Sequence, residues 1–156
     1  MKITDVKSFV VWENGRNFFF VKVETDAGIY GLGEGGLTWR EMAASGCVDH
    51  LKPLLVGQDP SRIEYLWQVM FRSGFFPAGR IACSAISAID IALWDIRGKH
   101  LGVPVYELLG GLVREKVVCY PHVGGNTLEK LVDNTQKRID EGWSFIRLGF
   151  PTGGQL

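Results

Sequence analysis

A strand–helix–strand run in the last third of the chain limits the fold more than any other feature. Val117-Val118-Cys119-Tyr120 is a short apolar strand. Asn126 is placed to cap a helix, with Glu129 at the third helical position as its capping-box partner. Leu128, Leu131, Val132, Thr135 and Ile139 mark the buried face of that helix, and Gly142 is its expected stop. Ser144-Phe145-Ile146-Arg147-Leu148 then reads as a second strand. Two strands joined through a helix by short loops lie parallel in one sheet. A lone unit of this kind leaves bare strand edges and an uncovered apolar face. Little sequence follows Arg147, ending Gly153-Gly154-Gln155-Leu156. The expectation is that residues 113–156 begin something larger, and that the chain is a fragment or early-terminated form of a longer protein.

The first two-thirds can form a unit of their own. Ile3, Val6, Phe9 and Val11 are apolar positions in a strand-like opening, and Phe18–Thr25 is rich in aromatic and β-branched residues. Asp26-Ala27-Gly28 is a turn signal before Ile29-Tyr30-Gly31-Leu32, so the pattern predicts an antiparallel hairpin. Thr38 with Glu41 predicts a capping box, opening a helix that ends near Lys52-Pro53. Asp59-Pro60 is the next start signal. Ile63, Leu66, Trp67, Met70 and Phe71 then fall on one helical face. A third helix spans about Ala82–Leu101, with Ala88 and Ala92 permitting close packing, and Gly102 stops it.

Composition narrows the function classes. Apolar residues make up 46% of the 156, enough for a sizeable core. Lys and Arg number 17 against 17 Asp and Glu, so the basic excess needed by a nucleic-acid or anionic-membrane partner is missing. The longest uncharged stretch, Val117–Leu128, falls short of the roughly 20 apolar residues of a bilayer span. No secretion signal opens the chain. Cys47, Cys83 and Cys119 are scattered and odd in number, which fits reduced thiols of a cytoplasmic protein better than a disulfide framework or metal clip.

The stretch Ala85–Lys99 (AISAIDIALWDIRGK), followed by Pro104–Gly110 (PVYELLG), resembles a signature of the enolase superfamily, in its mandelate racemase and muconate-lactonising branch. Gly31-Leu32-Gly33-Glu34, Gly57-Gln58-Asp59-Pro60 and Gly110-Gly111-Leu112 agree with it. Within the branch, Gly57–Arg62, Leu66–Met70 and Gly110–Arg114 look like acid-sugar dehydratases of the galactonate kind. Gly15-Arg16-Asn17-Phe18, His122 and Arg147 resemble substrate-contacting positions of mannonate dehydratases, although the Arg-x-Gln of that group is Arg147-Leu148-Gly149 here.

The resemblance implies an architecture and a chemistry. Residues 1–112 would be an α+β capping domain, antiparallel sheet followed by helices. Residues 113–156 would be the first βαβ unit of an incomplete TIM-type β/α barrel. Loops around Trp12–Phe18 and Gly36–Trp39 would close over the barrel and select substrate. The family reaction abstracts a proton α to a carboxylate, with Mg²⁺ stabilising the ene-diolate. For an acid sugar, loss of the β-hydroxyl then gives a 2-keto-3-deoxy acid. The metal ligands of the branch lie on later barrel strands, so no metal residue is assigned in this chain and the 156 residues alone are expected to be inactive. Arg147 is the candidate catalytic residue, suited to charge stabilisation because arginine stays protonated. Asn17, His122, Arg16 and Trp39 are candidate substrate contacts. The implied partner is a small acid-sugar substrate, and the full-length protein would be a homo-oligomer. A racemase or cycloisomerase on the same scaffold, or an inert truncated chain, are the alternatives.

Three features carry structural expectations only. Asp90 and Asp95 lie on different faces of one helix and should pair with bases or cap backbone. Trp67, Phe71, Phe75 and Phe76 form an aromatic row expected to pack between cap and barrel. The glycines from Gly31 to Gly36 follow a strand in a hairpin context and make no dinucleotide motif.

Overall fold

A tight turn sits at Asn14-Gly15, where both residues take positive φ, 48° and 86°. Asn and Gly tolerate that region, and two such residues make the turn whose twist matches paired strands. It joins β1 (Ile3–Glu13) to β2 (Arg16–Thr25), which pair antiparallel from Glu13↔Arg16 downward. Residues 12–18, read from sequence as a closure loop, are therefore the tip of a hairpin. The computed structural model describes residues 1–149 of the chain, which fall into two compact units, Met1–Gly111 and a second that begins at Leu112. The terminal Gly153-Gly154-Gln155-Leu156 lies outside the described residues.

In the first unit β3 (Tyr30–Gly35) adds antiparallel to β2, giving the order β1-β2-β3. Alternate residues of the sheet face inward: Val6 from β1, Phe19, Val21 and Val23 from β2, and Gly31, Gly33 and Gly35 from β3. The outer half of the hairpin runs past this core, leaving Phe9, Val11 and Trp12 exposed.

Three helices follow: the first and third cover the inner face, and the second packs against them. The first, α1, spans Glu41–Leu55 and buries Ala44, Val48, Leu51 and Leu55. It runs past Pro53, because Leu55 still docks in the core. Thr38 does not cap it; the N-cap is Arg40, without a side-chain bond. The next, α2 (Ile63–Arg72), begins three residues after the Asp59-Pro60 signal. Asp59 instead builds a turn, its Oδ1 accepting the Ser61 N–H at 2.9 Å. The longest, α3 (Arg80–Leu101), ends where sequence placed it. Gly102 at φ 71° donates to the Lys99 carbonyl, and Val103 donates to that of Gly98, closing a Schellman motif. A four-residue helix, α4 (Val105–Leu108), follows Pro104.

The sheet and α3 meet through missing side chains. A Cβ built on Gly31 would stand 1.9 Å from the Ala92 carbonyl oxygen, and one on Gly33 the same distance from that of Ala88. Strand and helix backbones touch here. Ala88 and Ala92 supply half of that closeness and the strand glycines the other half.

In the second unit β4 (His122–Gly124), α5 (Leu128–Asp140) and β5 (Arg147–Gly149) form a parallel pair bridged by a helix. Both strands sit later than sequence placed them. Val117, Val118 and Tyr120 are exposed, and ladder bonding starts where Arg147 N–H donates to the Pro121 carbonyl at 3.0 Å. Thr127, not Asn126, caps α5, its hydroxyl accepting the Lys130 N–H. Val123 and Leu131 are buried, while Leu128, Val132 and Ile139 border an open groove with Leu148. The uncovered apolar face expected of this unit is present.

Candidate functional site

Each unit contributes its own group of candidate residues. In the first, β2 presents Arg16 and Asn17 in succession, so their side chains leave opposite faces of the strand. The Arg16 guanidinium lies 4.2 Å from the centre of the Phe18 ring, on the outer face. Asn17 shares the inner face with buried Phe19. Both border a cleft of about 80 Å³, whose other walls include Glu34, Gly36, Thr38 and Glu41. Small-molecule pockets run to about 300–1,000 Å³, so this cleft alone is too small to enclose a whole sugar acid.

Trp39 stands beside this cleft in an unusual backbone state. Its φ is 70°, a region few bulky residues enter, and its side chain is 72% exposed. The strained turn is tied by its own N–H, which donates to Glu41 Oε1 at 2.9 Å. That bond replaces the capping box expected from Thr38 and Glu41: the positive φ at Trp39 turns the chain, and Glu41 reaches back to Trp39 rather than Thr38.

In the second unit His122 and Arg147 are register partners on β4 and β5. Neighbours in register project to the same face of a parallel sheet. Val123 and Leu148, one step along each strand, take the opposite face, toward α5. His122 and Arg147 therefore project to the same side of the strand pair, and His122 also lines a cleft with Asn134, Lys137 and Arg138 of α5 and with Glu141. Tyr120 stacks on His122, with ring centres 5.8 Å apart and planes within 2°. Sequence placed His122 just past a strand end and Arg147 at the end of one; each instead opens its strand, two residues before its last. The reason is the late start of the ladder at Pro121.

Among the described residues no group of three His, Cys, Asp or Glu side chains converges to hold a metal ion. The described residues thus do not by themselves fit a Mg²⁺ site.

The aspartates of α3 separate as their spacing required. Asp95 Oδ2 accepts the Leu32 N–H at 2.9 Å and the Lys99 ammonium at 2.7 Å, and Lys99 also donates to the Tyr30 carbonyl at 2.8 Å. Together they cap the open edge of β3. Asp90 makes none of the ion pairs among the described residues. Burial first, then the charge of Glu64, raises its carboxyl above the ordinary aspartate range. The aromatic row also divides. Trp67 and Phe71 stack at 4.8 Å against their own core, while Phe75 and Phe76 are exposed.

Comparison with known proteins decides the family. Residues 10–110 match the model of the mandelate racemase / muconate lactonizing enzyme N-terminal domain. The chain belongs to that family. A D-galactonate dehydratase of Verminephrobacter eiseniae is 45% identical over 148 residues, covering 95% of this chain and 38% of that protein. A D-mannonate dehydratase of Sphingomonas sp. is also 45% identical, over 94% of this chain and 36% of its own length. The crystal structure of an enolase from Pantoea ananatis with bound D-gluconate and Mg superposes with TM-score 0.88 at 40% identity, covering 96% of this chain and 36% of that one. The chain thus spans a little over a third of the length of these relatives. The antiparallel sheet with its helices is the family's N-terminal capping domain, and a short parallel strand–helix–strand start follows it.

Sequence reasoning missed Glu41 and Lys99 as organising residues. Glu41 was visible only as a helix cap, and Lys99 only as part of a motif. The Asn14-Gly15 turn carried a readable signal, an Asn-Gly pair between apolar runs.

Proposed function

We propose that this chain is the cap and opening β/α segment of an acid-sugar dehydratase. Such an enzyme removes the proton α to a carboxylate and expels the β-hydroxyl as water, yielding a 2-keto-3-deoxy acid. The observation that carries the reading is the register pairing of His122 with Arg147 on neighbouring parallel strands, in a chain whose relatives are named for galactonate and mannonate. Barrel enzymes draw reactive groups from the C-terminal ends of successive parallel strands, and His122 and Arg147 lie within two residues of the last residue of theirs. In this role the Arg147 guanidinium holds the substrate carboxylate, or the charge that grows on it as the α-proton leaves. Its fork of donors matches a carboxylate and cannot itself take a proton. His122, one strand away, hydrogen-bonds a substrate hydroxyl and can hand a proton to the departing oxygen. Arg16, Asn17 and Trp39 of the first unit are proposed as further contacts to substrate hydroxyls.

Mg²⁺ belongs to the proposal for the longer protein, where it would stabilise the ene-diolate; its ligands are sought outside residues 1–149. Homo-oligomeric assembly of that longer protein and a cytoplasmic location also stand as proposals. The free thiols of Cys47, Cys83 and Cys119 support the latter. No helix among the described residues is long and apolar enough to cross a membrane.

The test joins this chain to the remaining part of the V. eiseniae D-galactonate dehydratase and offers it D-galactonate, D-mannonate and D-gluconate. Formation of a 2-keto-3-deoxy acid from at least one, lost in Arg147→Met, is expected. The 156 residues alone are expected to form none and to show no stoichiometric heat on Mg²⁺ titration. A folded fusion inert toward all three acids, or one unaffected by Arg147→Met, overturns the reading.

A further inference from the structure

The geometry points to Glu41 as the latch that fixes the shape of the Gly36–Arg40 loop, and with it the direction in which Trp39 projects. Three observations meet here. Trp39 sits at φ 70°, which a side chain of its size adopts only under constraint. Its N–H donates to Glu41 Oε1 at 2.9 Å, a bond across two residues that fits only this turned backbone. Glu41 is 6% exposed, although it is a carboxylate at a helix start, where such residues usually face water. A buried acceptor that lost this N–H would be left without the partner that offsets its burial. The same residue also walls the cleft bordered by Arg16 and Asn17. A second bond steadies the turn: the Arg40 N–H donates to the Leu37 carbonyl at 3.0 Å.

The loop therefore does not hold its shape by packing of the indole, which is open to solvent. It is held by backbone and side-chain hydrogen bonds, with the Glu41 carboxylate fixing Trp39, the Arg40–Leu37 bond closing the turn and the Ser84 hydroxyl donating to the Gly36 carbonyl at 3.3 Å. Glu41 is a positioning residue, acting through Trp39 and not on a substrate atom. That the loop then meets a sugar acid rests on the function proposed above; the latch itself does not, and its test uses no substrate.

The experiment compares Glu41→Met, which keeps shape but removes the acceptor, with Glu41→Gln, which keeps a carbonyl acceptor. Amide hydrogen exchange is read over residues 36–40. The ¹⁹F signal of 5-fluorotryptophan at Trp39, assigned by its loss in Trp39→Phe, gives an independent view, with Trp12, Trp67, Trp94 and Trp143 as internal controls. In Glu41→Met, exchange over 36–40 is expected to rise about tenfold and the Trp39 signal to move, while α3 and the other tryptophans stay unchanged. Glu41→Gln is expected to match the parent on both readouts. Parent-like behaviour of Glu41→Met, equal disturbance by both variants, or exchange rising equally throughout the sheet and helices overturns the inference. If Glu41→Met does not fold, Glu41→Asp, one methylene shorter, is expected to show the same loop-limited rise, and its absence overturns the inference equally.

Discussion

Adding one methyl group to β3 and one to α1 should have opposite effects on stability. At Gly31 the new Cβ would lie 1.9 Å from the Ala92 carbonyl oxygen and 2.9 Å from Ile96 Cγ1. Ordinary contact begins near 3.4 Å, so about 1.5 Å of clearance must come from parting strand and helix backbones that cannot turn aside. Overpacking of this kind costs about 1–3 kcal/mol. A gap of even 0.5–1 Å opened elsewhere along the contact forfeits roughly a quarter to a half of its dispersion energy. A 1.9 Å approach to a carbonyl oxygen puts Gly31→Ala at or above the top of the overpacking range, about 3 kcal/mol, a large share of the roughly 5–15 kcal/mol that holds a domain folded. At Gly46, inside α1, nothing lies within 4 Å of the built Cβ. There alanine should stabilise by about 0.5–1 kcal/mol through helix propensity alone. Urea unfolding followed by circular dichroism, with the denaturant slope unchanged, measures both. Gly31→Ala within about 1 kcal/mol of the parent, or Gly46→Ala the more harmful of the two, would refute direct backbone contact between β3 and α3.

Further outcomes follow from the same structure. Asp90→Asn should raise stability at neutral pH. The native carboxyl binds its proton more tightly than the unfolded one, so it lowers stability as pH rises through the ordinary aspartate range, and the gain should vanish in thermal melts below about pH 4. Asp95→Ala, which uncovers the Leu32 N–H and orphans Lys99, should cost about 1–2 kcal/mol, while Asp95→Asn should recover part of it; chemical denaturation separates them. Lys52→Met, which breaks the ion pair joining α1 to Asp5 of β1, should cost under about 1 kcal/mol because the pair is exposed. That small loss should fade in acid as Asp5, held low chiefly by its bond to Lys52, takes up its proton.

Elements whose signals are local and steric were legible in the sequence. The helical face Ile63, Leu66 and Met70 is buried as its spacing required, and Gly102 could only be a stop, since the chain there needs a left-handed residue. The parallel pairing of the last two strands followed from their helical crossover. What was not legible depended on partners distant in sequence. Val117–Tyr120 has strand composition, yet the ladder begins at Pro121 because register is set by where β5 arrives. Thr38 has the right neighbour for a capping box, but a positive φ at Trp39 diverts Glu41, and no propensity scale anticipates that. The candidate site was legible residue by residue. That His122 and Arg147 share one face required the register, and the burial of Glu41 required the fold.

The most direct measurement of the central claim is the fate of the solvent proton when the fused protein works on a sugar acid in D₂O. α-Proton abstraction followed by loss of the β-hydroxyl leaves an enol, which takes its new hydrogen from solvent at C3. The account requires a 2-keto-3-deoxy acid carrying one deuterium at C3 by ¹H NMR. Substrate recovered with deuterium at C2 and inverted configuration, with no keto acid formed, would show a racemase instead and contradict it.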